Sequence, residues 1–480
     1  MNYDIADKVF TGRKKLYTSL IPADYAEAFP EGVIISPETL VADITEQELL
    51  QTANEADVKL LLDLYRGDSP IFERDIPVET SSNNKVSINM PLAISRNLSS
   101  YTFHNGVQFV AKDAEYSDAV RILNDLFALK GQGVVTQEMK DYQSICGTTY
   151  LYINYDPLRT KGVPFTVQHL SPENTYVVYS AFDSQLPIYA VTRKVFRDKN
   201  GNTTVSRYIY THNYSWLIQD AVSGWRVVRE GAHILGDVPI VEVPNNTMRL
   251  GDFEVVLPIC AAINKAASDC LNNIEDVVRS ILVMFGVDPR DIETNADKVN
   301  TSNILAFSGV PGINQDAKFI HPQLDGTSVA QFRAYLNESL KYVAGVPERD
   351  AANLASTTGI AEDIKTGQSD AEAIATVKAT FVEAAERRIL AMCLNILGGE
   401  PFPDGQKDLS VSDIDVDITR INRDNILLKS QAMLNLKSVG MSNDDIVYFG
   451  NITNDVSGVA ARMTETQAAQ EAQKVAKAEE

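Results

Sequence analysis

An α+β fold built from several structural units is predicted for this chain of 480 residues, and three observations predict it. Helical apolar patterns run up to about residue 80, over 117–146 and after residue 250, where apolar residues recur at three and four, the period of amphipathic helices. Between Thr148 and Val243 the period is two, as in strands with one buried face. The length accommodates about two to four domains of ordinary size.

Up to about residue 80 the pattern is helical. Thr45-Glu46-Gln47-Glu48 precedes an apolar period through Leu49, Leu50, Ala53, Ala56, Leu60, Leu61 and Leu64, as in an N-capped amphipathic helix, and Tyr65-Arg66-Gly67-Asp68-Ser69-Pro70 ends it. A further helical pattern lies between 85–91 and 103–107, and residues 117–146 read as two helices. The period-two region predicts strands at 150–155, 165–167, 176–179, 189–195, 206–210, 214–218 and 225–228, an antiparallel meander with turns such as Asp198-Lys199-Asn200-Gly201-Asn202. Near the other end Ile414, Val416 and Ile418 alternate with Asp413, Asp415 and Asp417. That strand is too isolated to form its own sheet and is expected to join the meander. Residues 459–480, rich in Ala, Gln, Glu and Lys, predict a solvated helix or a tail ordered only in an assembly.

From Gly251 to Lys365 two helical patterns flank an insertion. In the first, over 252–284, Ile259, Ile263, Ala266, Cys270, Ile274, Val277 and Ile281 share a face, while Lys265, Asp269, Asn272, Glu275 and Asp276 occupy others. At about 1.5 Å per residue such a helix spans roughly 45 Å, long for a domain interior; Pro258 would kink or restart it. Asp288-Pro289 then opens a stretch punctuated by Ser308-Gly309-Val310-Pro311-Gly312, and a second helical pattern begins at Thr327-Ser328. Residues 347–358 are small and polar, suiting a mobile loop, with Ser356, Thr357 or Thr358 able to cap a helix starting near Ile360. Periodicity alone fits an ordinary core helix and a plain helix–helix connection equally well.

Lys and Arg number 43 against 64 for Asp and Glu, a net charge of −21. That balance excludes a protein whose main task is to grip phosphate backbone. It is compatible with an acidic wall past which DNA slides, and with acidity that serves only solubility. No phosphate loop, Gly-x-Ser-x-Gly or His-Glu-x-x-His occurs. Asp413-x-Asp415-x-Asp417 lacks the glycine turn and terminal glutamate of a calcium loop, so a strand's outer face is expected there, and no metal or cofactor. His104 and Cys146 could form a nucleophilic pair, but Cys146 ends an apolar helical pattern and fits a packed thiol. Four scattered cysteines without metal spacing suit a reducing cytoplasm. No apolar run reaches membrane length, and Met1-Asn2-Tyr3-Asp4 does not begin a secretion signal.

A resemblance emerges when segments are set in order. Tyr65-Arg66-Gly67-Asp68-Ser69-Pro70-Ile71, Asn84-Lys85 with Asn89, and Leu235-Gly236-Asp237-Val238-Pro239-Ile240-Val241-Glu242-Val243-Pro244-Asn245-Asn246 come first. Gly251-Asp252-Phe253-Glu254, Ser268-Asp269, Asn273-Ile274-Glu275-Asp276, Ile281-Leu282-Val283 and Gly286 follow. Their order and spacing over roughly residues 50–450 resemble the portal proteins of tailed bacteriophages, in the branch of long-tailed phages of Gram-positive hosts.

The resemblance implies a portal-protein fold with an α/β wing, a two-helix stem, a small α/β clip, a kinked long helix and a helical C-terminal crown. The wing would be 1–250, the stem helices 251–284 and 327–346, the clip 285–326 and the tunnel loop 347–358. The long wing helix would be 359–400, the wing's return strand and helix 401–440, and the crown 441–480. It further implies a homo-oligomeric ring, normally of twelve subunits, at one capsid vertex of the virion, assembled in the host cytoplasm. Double-stranded DNA would pass through it without sequence specificity. The implied partners are the large terminase, the head-tail adaptor, and the major capsid and scaffolding proteins; the terminase supplies the ATPase, so no catalytic residue is implied. Arg349, Asp350, Asn353, Leu354, Ser356 and Thr357 would line the DNA channel. Asp288, Arg290, Asp291, Glu293, Asp316 and Lys318 would be the clip's partner contacts. An enzyme with an unfamiliar site would need a cluster of convergent polar groups that the sequence does not display. A ring-forming adaptor is usually far shorter, and a scaffold lacks so extended a β region.

Overall fold

The computed structural model describes residues 10–20, 34–35, 40–75, 82–103, 106–156, 162–197, 203–221, 224–278, 281–285, 316–320, 326–347, 368–418, 426–450, 459–460 and 462–466. In chain order the elements begin with β1 (Leu16–Thr18), β2 (Ile34–Ile35), α1 (Leu40–Arg66), α2 (Met90–Thr102), β3 (Val107–Ala111), α3 (Ser117–Leu129) and α4 (Gln132–Cys146). Then come β4 (Thr148–Tyr155), β5 (Phe165–Leu170), β6 (Thr175–Ser180), β7 (Pro187–Arg197), β8 (Thr203–Tyr210), β9 (Tyr214–Ala221), β10 (Gly224–Ala232) and β11 (Ile240–Pro244). The remainder is α5 (Leu257–Val278), β12 (Ile281–Phe285), β13 (Asp316–Ile320), α6 (Gly326–Ala344), α7 (Gln368–Leu397), β14 (Ile414–Ile418), α8 (Ile426–Ser438) and α9 (Asn443–Gly450). The chain divides into two compact units. The smaller comprises Met1–Lys8, Gly67–Ile88 and Leu257–Leu340, and the larger takes the rest.

In the larger unit the period-two region folds as expected, but into two sheets. Strands β6 to β10 form the antiparallel meander within a seven-stranded sheet ordered β1-β6-β7-β8-β9-β10-β2. Strands β4 and β5 leave it and pair with β11 in a separate three-stranded sheet. A small core of Tyr150, Val177, Tyr179, Ala190, Val238 and Ile240 joins the two. The Ile414 strand does not join the meander either: β14 pairs antiparallel with β3, Val416 opposite Phe109. Its apolar face decides this, because Ile414 and Val416 enter the main core with Phe109, Phe127, Ile389 and Leu390.

Helix α1 departs from its predicted face. It starts at Leu40, not after Thr45, whose hydroxyl donates to the Val41 carbonyl inside the helix (2.6 Å). Leu49 and Leu50 are 75% and 50% exposed, while Gln47, Gln51 and Asn54 are buried. The reason is β1, an edge strand that would otherwise leave backbone groups bare. Asn54 accepts from the Lys14 N–H (2.9 Å) and donates to the Lys14 carbonyl (3.0 Å), and Gln47 donates to the Tyr17 carbonyl (3.0 Å). Amides thus replace apolar side chains where the helix must cover a strand edge.

In the smaller unit the first predicted long helix is shorter than expected. Helix α5 has 22 residues and ends at Val278, about 33 Å. Ile281–Phe285 is not its last turn but a strand, β12, antiparallel to β13. An unbroken apolar run of five satisfies either period, and the partner strand decides. Pro258 is the second residue of α5, where its missing N–H leaves no helical bond unmade, so it starts the helix without kinking it.

Candidate functional site

Buried charge in the larger unit concentrates between β11 and α5, the stretch carrying Asn245-Asn246 and Gly251-Asp252-Phe253-Glu254. Arg249 has φ 57°, alone among the described non-glycine residues in being positive, and its guanidinium holds Glu242 of β11 at 2.6 and 3.0 Å. Glu242 also accepts from Thr148 (3.0 Å) and Tyr179 (2.8 Å). Burial alone would raise the Glu242 carboxyl, but Arg249 and these hydrogen bonds outweigh it and hold the group below its ordinary range. The backbone here is pressed against glycines. A Cβ on Gly12 would lie 1.8 Å from the Met248 oxygen, and one on Gly147 would lie 2.0 Å from the Arg249 oxygen.

Asp252 is the centre of this joint. Its N–H donates to the Ser144 carbonyl (2.8 Å), and its carboxylate accepts from Asn245 Nδ2 (2.8 Å), Ser144 Oγ (2.5 Å) and Lys378 Nζ. Lys378 and Asp252 are 126 residues apart in sequence and only 2% and 3% exposed. Glu254 accepts from the Gly251 N–H (2.7 Å) and from Arg13, which also donates to the Cys146 carbonyl (3.2 Å). Burial keeps the Glu254 carboxyl above its ordinary range in spite of Arg13. Each carboxylate is engaged by donors of the protein itself, an arrangement suited to fixing a chain path rather than to proton transfer.

In the smaller unit α5 presents a polar ladder. Asn264 Oδ1, Ser268 Oγ and Asn272 Oδ1 accept from the backbone N–H groups of Ile88 (2.8 Å), Val86 (2.9 Å) and Asn84 (2.6 Å). Four residues of helix rise about 6 Å and two residues of extended chain about 6.6 Å, so the two periods keep step antiparallel. Asn84 Nδ2 adds a bond to Glu275 (2.5 Å), and Arg74 pairs with Asp269 (2.6 Å). Asn272, Asp269 and Glu275, predicted to lie on wet faces, thus have protein partners, and Ile274 of the predicted packing face is exposed. Arg13, Ser144 and Lys378 carry no sequence signal at all; only the fold brings them to Asp252 and Glu254.

The predicted channel residues Arg349, Asp350, Asn353, Leu354, Ser356 and Thr357 lie outside the described residues, as do Asp288, Arg290, Asp291 and Glu293 and the proposed helix start near Ile360. Of the clip set, Asp316 and Lys318 are on β13, opposite Phe285 and Val283 of β12. His104 also lies outside, while Cys146 is fully buried, its thiol raised by desolvation. Asp413 accepts from the N–H and hydroxyl of Ser410 (3.0 and 2.7 Å), and Asp415 pairs with Arg387 (2.9 Å). Among the described residues no group of three or more acidic, His or Cys side chains could hold a metal ion. Among them, too, no helix is long and apolar enough to cross a membrane.

Two curated relatives are similar to this chain, both named portal protein: one of Mycobacterium phage D29, 26% identical over 240 residues, and one of Mycobacterium phage L5, 25% identical over 232. The matches cover 46% and 45% of this chain and 48% and 46% of the relatives, so the chain spans about half the length of the curated relatives it matches. The family described as "Phage portal protein, SPP1 Gp6-like" matches residues 51–474. That range holds the Asp252 joint, the α5 ladder and the β12–β13 hairpin, and over it this chain belongs to the SPP1 Gp6-like family of phage portal proteins.

Proposed function

We propose that this chain is the subunit of a ring at one vertex of a phage capsid, the channel by which double-stranded DNA enters during packaging and leaves during ejection. The observation that carries this reading is the family match over residues 51–474. An uncovered face supports it: Phe332, Tyr335 and Tyr342 of α6, spaced three and seven apart on one side of the helix, are 52%, 64% and 80% exposed. Aromatic side chains in such a row suit burial against a neighbouring copy.

In this reading α5 and α6 are the stem and the β12–β13 hairpin with its 286–315 connection is the clip. Residues 347–358 are the tunnel loop, with Arg349, Asp350, Asn353, Leu354, Ser356 and Thr357 toward DNA. The wing comprises 1–250, the long helix ending in α7 and the 401–440 return; α8 closes that return and the crown follows from 441. Asp316 and Lys318, with Asp288, Arg290, Asp291 and Glu293, meet the large terminase during packaging and the head-tail adaptor afterwards. Capsid and scaffolding proteins contact the outside of a ring of twelve in the virion. The chain acts as a conduit and leaves ATP hydrolysis to the terminase. Negative-stain images of the purified full-length protein test this: rings with a central hole are expected, and a compact monomer at assembly concentrations overturns it.

A further inference from the structure

Helix α7 is held by two different kinds of contact along its length. From Val382 onward most of its buried positions are larger apolar residues, with Val382, Ile389, Leu390, Met392, Cys393 and Leu397 in the main core beside Ala385. Arg388 bonds Asp237 (2.6 Å), and Asn395 donates to the Leu235 carbonyl (2.9 Å). Before Val382 the buried positions are Ala371, Ala375, Lys378 and Ala379. This half shares its neighbourhood with α2, whose buried positions include Ser95, Leu98, Ser99 and Thr102.

Two polar links set this half on α2. Tyr101 donates to Glu372 (2.9 Å). Lys378 reaches Ser95 through a chain of bonds: Lys378 and Ser144 both donate to Asp252 Oδ2, which leaves the Ser144 oxygen to accept from Ser95 (2.7 Å). Ser95 and Tyr101 are six residues apart on α2, and Glu372 and Lys378 are six apart on α7, so the helices run antiparallel in one register. That register sets Leu98 near Ala375 and Thr102 near Ala371. The α7 side of this contact contributes only alanine methyls, against Leu98 and hydroxyls of α2, so it buries less apolar area than the later half of α7, and the hydroxyls can be rehydrated on separation. A charged pair sealed from water sits among them.

We propose that the first turns of α7, residues 368–381, form a latched arm: they dock on α2 in a single register, the Lys378–Asp252 pair is the latch, and the arm opens as a unit while the rest of α7 stays packed. Lys378 and Asp252 are positioning residues, acting on where the arm lies. Apolar bulk secures one end of α7, and polar links, one of them a buried charged pair, secure the other.

Hydrogen–deuterium exchange on the full-length protein tests the latch. In Lys378→Met, which keeps the length of the side chain, peptides covering 368–381 are expected to exchange at least ten-fold faster than in the parent, with 385–397 unchanged. Asp252→Asn, whose Oδ1 still accepts from Asn245 while its Nδ2 takes the place of the oxygen that faces Ser144 and Lys378, is expected to give the same local acceleration. Unchanged exchange in both variants overturns the proposal. So does equal acceleration in both halves, or failure of both variants to fold, since the pair would then carry the stability of the whole unit. Acceleration in Lys378→Met alone also overturns it, because lost packing and not lost pairing would be the cause. If only one variant folds, its exchange pattern decides alone by the same criteria.

Discussion

Glu386, next to the latched arm and buried on α7, has its carboxyl pushed up to about 7 by desolvation. A carboxyl raised in the folded state favours folding in its protonated form. Its stabilising effect is therefore complete below the unfolded value near 4.5, falls as pH rises toward 7 and stays lost above that. Glu386→Gln should accordingly be as stable as the parent at pH 4.5 and more stable by about 3 kcal/mol at pH 8, as read from urea midpoints. Equal midpoints at both pH values would show that the carboxyl is not desolvated. Glu242 illustrates the opposite balance at the same scale, since Arg249 more than offsets its burial and lowers it. Neither behaviour can be read from the residue type: both are buried glutamates, and only one has a guanidinium beside it.

At the scale of elements, the α5 ladder joins a helix to a segment with no regular structure of its own. Ser268→Ala removes the acceptor of the part-buried Val86 N–H and should destabilise the smaller unit by about 1 kcal/mol, the net worth of one hydrogen bond. Thermal unfolding would register this, and exchange at 84–88 should rise with it; an unaltered melting temperature would mean that water replaces the serine. Strands β8 to β10 were legible in the sequence through the period of two that a single buried face imposes, and β6 and the first half of β7, buried on both faces, as short runs rich in aromatic and β-branched residues. The face of α1 was not, because Gln47 and Asn54 serve the backbone of Tyr17 and Lys14, in and just before β1, and Gln51 accepts from Asn54, tasks that hydropathy does not encode. Nor was the end of α5, where Ile281-Leu282-Val283-Met284-Phe285 fits helix and strand alike until β13 is known. Of the candidate site, Asp252 and Glu254 stood out through resemblance, whereas Arg13 reaches Glu254 and Lys378 reaches Asp252 across more than a hundred residues of sequence.

For the whole molecule the dominant quantity is a net charge of −21 on each copy. Gathering copies multiplies that charge, and a phosphate backbone nearby is repelled wherever basic groups do not face it. The purified protein should therefore show no retention of labelled duplex DNA at about 0.15 M salt in fluorescence anisotropy, the Debye length there being about 8 Å. Tight binding that weakens steeply with salt would instead reveal a phosphate-gripping surface. The ladder on α5 bears on how such a molecule can change over generations. Because Val86 and Ile88 contribute their N–H groups and not their side chains, many residues other than proline can replace them without disturbing the contact. Asn264, Ser268 and Asn272 have no such latitude. Sequence drift is thus channelled to one partner of the contact, and two portals could share this joint while agreeing at only three of its six positions.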